Sequence, residues 1–388
     1  MSAVDAVAFG EKVVALLEQG SFNATYKYAV LLALMDACLE QSDATGKPPR
    51  TIHPRDLATR VIELYWPHTS VYGAGGADDA IILRQNRGGQ AEIITLIHRF
   101  RATLATGADE PLARARRRDE SGFTRLVDEV TWKLVEMPLP RLQRFGRDVD
   151  HFLYELDWDD TVRRRSYDSD QLDQTLRLQP GAGEHLVRLA GLLRPLVQRL
   201  WANHVMALNR AALPRLAEES DLEAFLFGAQ RANLGPIRHD LRELQGNACF
   251  YCLDTLRAEA DVDHFLPWAR YPDNGIYNLV AAHPRCNNRK RDFLAATPHV
   301  TAWAHRFMQT STQAQLEDIA GRNRWAAEPS RTLGVARSVY LRLTKNVPLW
   351  LRDNEFEHPE TSALAAVLGG VLAVAAEEPE HFDPGKGS

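Results

Sequence analysis

Residues 249–290 read CFYCLDTLRAEADVDHFLPWARYPDNGIYNLVAAHPRCNNRK, and the residue types that perform metal and acid–base chemistry are concentrated there. Cys249 and Cys252 form a C-x-x-C pair, and His283 and Cys286 form an H-x-x-C pair. Zinc takes sulfur and imidazole ligands in a closed tetrahedron, and a two-residue gap lets a tight turn aim both side chains at one ion. A saturated site of this kind holds structure rather than performing chemistry. The chain has four cysteines; the one outside this pattern, Cys38, lies in an apolar helical run and reads as an ordinary core residue.

Between the two halves of the zinc pattern lie Val262-Asp263-His264-Phe265-Leu266-Pro267-Trp268 and Asn278-Leu279-Val280, and Asn287 follows directly after the last cysteine. A lone histidine in an apolar stretch is ordinarily a core or surface residue. Here it has company, because Asp263 and Asn287 both offer oxygen, the ligand atom of a hard cation such as Mg²⁺ that keeps several waters. His264 adds an imidazole that titrates near neutrality, the group best suited to take a proton from an attacking water.

With these residues in place, the stretch resembles the HNH nuclease motif, a ββα-metal or His-Me finger, in its H-N-N form: His264, Asn278, Asn287. The resemblance implies a hairpin with the Asp-His pair at the end of its first strand, a second strand over Leu279 to Ala282, and a helix over roughly Arg285 to Leu294. It also implies roles. His264 is the general base, Asp263 and Asn287 hold one catalytic Mg²⁺ or Mn²⁺, and Asn278 braces the loop that aims His264. The ion would polarise the scissile phosphate and stabilise the leaving 3′ oxygen, giving 5′-phosphate and 3′-hydroxyl ends. Arg289, Lys290 and Arg291, on or near the helix, are candidates to touch backbone phosphates. Two positions depart from the commoner family pattern. His283 stands where many relatives have cysteine, which weakens zinc binding, and Asn287 stands where others have histidine, which favours Mg²⁺ or Mn²⁺ over softer ions.

The composition fits a globular protein of more than one domain, with 388 residues of which 45% are hydrophobic. Few cysteines, most of them in a metal pattern, suit a reducing cytoplasm and not a disulfide framework. The N-terminus lacks the plan of a signal peptide, and the longest apolar run, Ala363 to Ala376, is too short to span a bilayer. A net charge of −5 is awkward for a nucleic-acid enzyme, since phosphate binding draws on Lys and Arg. Local clusters matter more. Arg114 with Arg116, Arg117 and Arg118, and Arg163 to Arg165, read as solvated faces, while Arg289 to Arg291 lie inside the catalytic stretch.

Around the finger the periodicity is helical. Phe9, Val13, Leu16 and Leu17 mark one helix, and Tyr26 to Leu39, apolar nearly all round, marks the centre of its module. A third helix starts at Pro54 and carries Leu57, Val61 and Leu64. The glycine-rich Val71 to Asp79 lacks the lysine and setting of a phosphate-binding loop and reads as a connection. Ile93, Ile94, Ile97 and Phe100, then Phe123, Leu126, Val127, Val130 and Leu134, give two more helices. His151 to Trp158 alternates and reads as a strand. Helices follow over Gly183 to Arg210, with a kink expected at Pro195, over Asp221 to Gln230, and over Pro236 to Gln245. Trp303 with Phe307, Leu316 with Ile319, and Val335 with Val339, Tyr340 and Leu343 mark the last ones.

The fold expected is mostly α and multi-domain, with an embedded ββα-metal finger stapled by zinc. It comprises a helical module over 1–145 suited to target recognition, a mainly helical middle domain over 146–235, the finger over 236–300, a helical segment over 301–376, and a disordered tail over 377–388. The function expected is a metal-dependent, cytoplasmic endonuclease acting on DNA in restriction of foreign DNA or anti-phage defence, with structural Zn²⁺ and catalytic Mg²⁺ or Mn²⁺. A two-strand cut needs two active sites, so one finger per chain implies a homodimer. Two other readings stand beside it. One is an effector switched on by a protein partner of a defence system and acting on RNA or single-stranded DNA. The other is a catalytically silent zinc-finger nucleic-acid-binding protein, against which the complete Asp263, His264, Asn278 and Asn287 set argues.

Overall fold

The computed structural model describes residues 3–19, 23–73, 81–104, 110–145, 148–169, 172–211, 222–228, 233–257 and 260–371. It is mostly helical, with four small antiparallel sheets among the described residues. The chain divides into two compact units, one of residues 1–41, 48–233 and 324–326, the other of residues 42–47, 234–323 and 327–388. None of the described helices is long and apolar enough to cross a membrane.

The first unit is built around the helix Tyr26–Glu40. It has no solvent stripe, and every residue from Tyr28 to Glu40 is buried, as an all-round apolar sequence requires. Pro54–Tyr65 and the long helix Ala182–Asn209 pack on it. Its buried charges are paired, Asp36 with Arg194 and Glu40 with Arg60 at 2.6 Å, because an unpaired buried charge is too costly to keep. The core cluster is continuous from Phe9 to Phe227 and draws on both the first 145 residues and the stretch that follows. Cys38 is one of its members.

Pro195 lies inside the helix Ala182–Asn209, with Leu193, Val197, Trp201 and Val205 buried on both sides of it. One local expectation is corrected here. The alternating His151 to Trp158 forms a strand only at Tyr154–Glu155. Gln143 stands on the other edge of that strand, its buried amide accepting from the Leu153 and Tyr154 N–H groups and donating to the Tyr154 carbonyl. A side chain thus satisfies backbone groups that the pairing of Tyr154–Glu155 with Arg177 and Leu178 leaves over. The glycine-rich stretch beyond residue 73 and the tail over 377–388 lie outside the described residues. Of the helix expected over Asp221 to Gln230, residues 222–228 are described, and they contain a wider π-type turn, Ala224–Gly228.

The second unit gathers the helices Gly235–Leu244, Thr297–Met308, Thr310–Asn323, Pro329–Tyr340 and Thr361–Gly370 and the hairpin Leu349–Arg352/Glu355–Glu357 around the finger. Phe265 stacks on Trp303 with ring centroids 4.8 Å apart and nearly parallel planes. The Trp303 indole N–H donates to the Tyr277 carbonyl at 2.9 Å, and the buried Arg306 donates to the Leu279 carbonyl at 2.9 Å. The Gln245 side chain bonds both the N–H and the carbonyl of Ala281 at 2.8 Å. The finger is therefore held through its backbone, which fixes its strands whatever their side chains do.

Candidate active site

The finger is a two-stranded hairpin followed by a short helix. Asp261–His264 pairs antiparallel with Leu279–Ala282, with Asp263 opposite Val280 and His264 opposite Leu279. The second strand is buried throughout, which its all-apolar sequence Leu-Val-Ala-Ala permits. Pro284 opens the helix Pro284–Lys290 at the position where a missing N–H costs nothing. The helix ends at Lys290, short of the Leu294 expected from sequence. Arg291 adopts a left-handed φ of 49°, and Leu294 has turned away to accept from the Trp350 N–H at 2.8 Å.

Cys249, Cys252, His283 and Cys286 converge beside this helix, their ligand atoms all within 4.8 Å of one another. A tetrahedral ion with Zn–S bonds of ~2.3 Å needs ligand spacings of ~3.8 Å, so the quartet closes on zinc with small adjustments. Cys252 Sγ is 3.3 Å from His283 Nδ1, and His283 Nε2 lies 3.3 Å from the Thr255 carbonyl. The imidazole therefore faces the sulfurs through Nδ1, with its other nitrogen against a carbonyl, the usual orientation of a ligating histidine. Burial, then the neighbouring Cys249 and Cys252, push the Cys286 thiol up to about 12. Four such groups crowded together are mutually unfavourable until a divalent cation joins them.

On the hairpin, the loop between the strands is tied to Asn278. Its side chain accepts from the Leu266 N–H at 2.8 Å and donates to the Leu266 and Asp273 carbonyls at 3.2 and 3.0 Å. Its own carbonyl accepts from the Phe265 N–H at 2.7 Å, and the residue is fully buried. His264 Nε2 is 3.0 Å from Asn274 Oδ1, and the ring packs edge-on against Trp268 with centroids 5.1 Å apart. An amide oxygen only accepts, so the neutral tautomer that fits this contact carries its proton on Nε2. Burial holds this imidazole below its usual range, opposed first by the Asn274 bond.

Residues 249–296 match the family model described as HNH endonuclease. This segment is similar to an HNH finger. Neither the curated proteins nor the solved structures provide a match to the chain.

The rest of the HNH finger departs from the sequence reading in its pairings. Asp263 is buried, and its Oδ2 accepts from the Tyr251 hydroxyl at 2.5 Å and meets Lys290 Nζ at 3.0 Å. Asn287 donates through Nδ2 to Asp261 Oδ2 at 3.1 Å. Asp261 and Asp263 share one face of their strand, and they meet helix positions Asn287 and Lys290, one turn apart. No hydrogen bond links Asp263 to Asn287. Asp263 Oδ1 and Asn287 Oδ1, one carboxylate and one amide oxygen, carry no hydrogen-bond donor among the described residues, and this donor chemistry fits a hard cation.

Lys290 requires a correction. The sequence assigns it to phosphate, yet its side chain is fully buried, with the ammonium held by Asp263 and by the His264 carbonyl at 2.8 Å. Arg289 is half-exposed and paired with Asp353, and Arg291 is exposed. Of the distant arginine clusters, Arg118 pairs with Glu110 at 3.6 Å and Arg164 with Asp168 at 3.8 Å.

Four residues escape sequence reasoning. Asp261 had a signal, its position two before Asp263. Tyr251 lies in plain view between two cysteines, but nothing local says that its hydroxyl reaches Asp263. Asn274 is found only through the loop that Asn278 closes. Arg285 sits beside Cys252 and Cys286, which raise its pKa, and it pairs with Asp254 at 3.1 Å.

Proposed function

We propose that the chain is a metal-dependent endonuclease that hydrolyses phosphodiester bonds in DNA, with His264 as general base through Nδ1. The observation that supports this best is the state of that imidazole. It is half-buried, with its pKa held down by burial, and is oriented by Asn274 and Trp268 inside a segment that matches the HNH model. A neutral imidazole with one fixed nitrogen and one free can accept a proton from water without reorganising. Mg²⁺ or Mn²⁺ held by Asp263 and Asn287 would polarise the phosphate and stabilise the leaving oxygen.

The protein's other groups orient. Asn278 fixes the loop, Lys290 holds the His264 carbonyl and the Asp263 carboxylate, and Arg289 and Arg291 offer positive charge at the end of the finger helix for the phosphate backbone. The zinc quartet is structural. Nothing in the finger reads base edges, so target choice falls to the helical N-terminal module, and a cut in both strands falls to a homodimer. The proposed setting is restriction of foreign DNA or anti-phage defence, supported by the resemblance of the finger alone.

The test is incubation of purified protein with supercoiled plasmid and Mg²⁺, Mn²⁺ or EDTA, alongside His264→Ala. That variant should keep its zinc, bind DNA, and lose roughly 10²–10⁴ in cleavage rate, the loss expected for one positioned base. Added metal should not rescue it, whereas Asp263→Ala and Asn287→Ala should recover in part. A fully active His264→Ala would sink the assignment.

A further inference from the structure

We propose that Tyr251 is a positioning residue of the HNH site: seated between two zinc ligands, it fixes the Asp263 carboxylate so that one oxygen is reserved for the catalytic cation. The inference rests on the nuclease reading above and extends it to the link between the two metal sites.

Tyr251 lies in the knuckle between Cys249 and Cys252, and the knuckle backbone is docked on the second strand by the Phe250 N–H to Ala281 carbonyl bond at 3.0 Å. Its ring is enclosed edge-to-face by Phe250, His299 and Trp350, with centroids 5.3, 5.3 and 5.2 Å away. His299 is itself fixed to the Leu351 carbonyl at 2.7 Å. The ring therefore has one place to be, and from it the hydroxyl reaches Asp263 Oδ2 at 2.5 Å.

Lys290 meets the same oxygen at 3.0 Å. Two donors on Oδ2 leave Oδ1 as the oxygen free to bind a cation, and they lock the carboxylate against rotation. Partners that orient a ligand in this way are part of a metal site, and removing one typically costs about 10–100-fold in affinity. Zinc ligands flank Tyr251 on both sides, so the knuckle sets where the hydroxyl stands.

The experiment uses the full chain and Tyr251→Phe, which removes one oxygen and keeps the ring. Mn²⁺ affinity without substrate is measured by electron paramagnetic resonance, zinc by elemental analysis, and cleavage as a function of metal concentration. The variant should retain one zinc and bind Mn²⁺ about 10–100-fold more weakly. Its cleavage should need more metal and reach the wild-type rate at saturation, a split that a general loss of structure would not give. In an Asp263→Asn background the same change should add nothing.

Unaltered Mn²⁺ affinity, with the wild type binding and cutting, would overturn the role of Tyr251 and leave the nuclease reading standing. A wild type that neither binds Mn²⁺ nor cuts would overturn both. Loss of zinc or of the fold in Tyr251→Phe would make the hydroxyl part of the knuckle itself and overturn the positioning role.

Discussion

Replacing Asn278 by alanine should both destabilise the second unit and misaim its histidine. The side chain is fully buried and engages the Leu266 N–H, the Leu266 carbonyl and the Asp273 carbonyl. Truncation leaves those three backbone groups without their partner. At about 1–3 kcal/mol for each dry, unsatisfied group, and with water entering the vacated space to offset part of it, the loss is on the order of 3–5 kcal/mol. The same loop carries Asn274, which orients His264, so a displacement of about 1 Å should reduce cleavage on the order of 10²-fold. Zinc release to a chromogenic chelator during urea unfolding follows this unit by itself, without the first unit's tryptophans. Asn278→Asp sharpens the test, since a carboxylate can still accept from Leu266 but repels two carbonyls, and it should be no better than alanine. Asn278→Ala unfolding within ~0.5 kcal/mol of wild type, the range of an ordinary surface change, and cutting at the wild-type rate, would refute the brace.

Two further outcomes follow from the buried groups. Cys249→Ser and His283→Ala should each lose zinc and thermal stability together, because the four ligand atoms lie within 4.8 Å of one another, close enough for one ion, and metal binding at such a site is folding free energy; zinc-free wild-type protein that stays folded would contradict this. In the first unit, His68 is enclosed by Tyr65, Trp201 and Phe227 and bonded to the Leu226 carbonyl at 3.0 Å. Burial lowers its pKa from 6.5 to about 3. The unfolded chain then binds the extra proton between those values, so this contribution is complete above pH 6.5 and is lost as pH falls towards 3. The slope is up to about 1.4 kcal/mol per pH unit, and melting curves of His68→Gln against pH should be flatter than wild type across that window; equal slopes would refute the assignment.

How much of this was legible in the sequence depended on whether a feature was local. The helix Tyr26–Glu40 announces its burial because an apolar surface all round leaves nothing to face water, and the pattern needs no knowledge of its neighbours. The cysteine–histidine quartet was legible for the same reason, since two short spacings and two ligand types suffice. His151 to Trp158 pairs only at Tyr154–Glu155, and on its other edge the backbone is satisfied by Gln143, eleven residues from Tyr154. Alternation says which residues turn inward, but not whether a ladder or an amide satisfies the backbone between them.

Lys290 shows the same limit at the active site. A lysine beside two arginines at the end of a nuclease helix reads as one more phosphate contact, and by composition the three are equivalent. What separates them is the helix turn. Asn287 and Lys290 lie one turn apart on the face against the first strand, where Asp261 and Asp263 stand two apart, so the amide meets the first carboxylate and the ammonium the second. Arg289 falls off that face and stays half in solvent. Burial of an ammonium is tolerated only with a partner, and here the partner is the residue assigned to the catalytic ion. Lys290 is thus committed to holding the Asp263 carboxylate and the His264 carbonyl in place, and of the three consecutive cationic residues Arg289 and Arg291 are the two left at the surface.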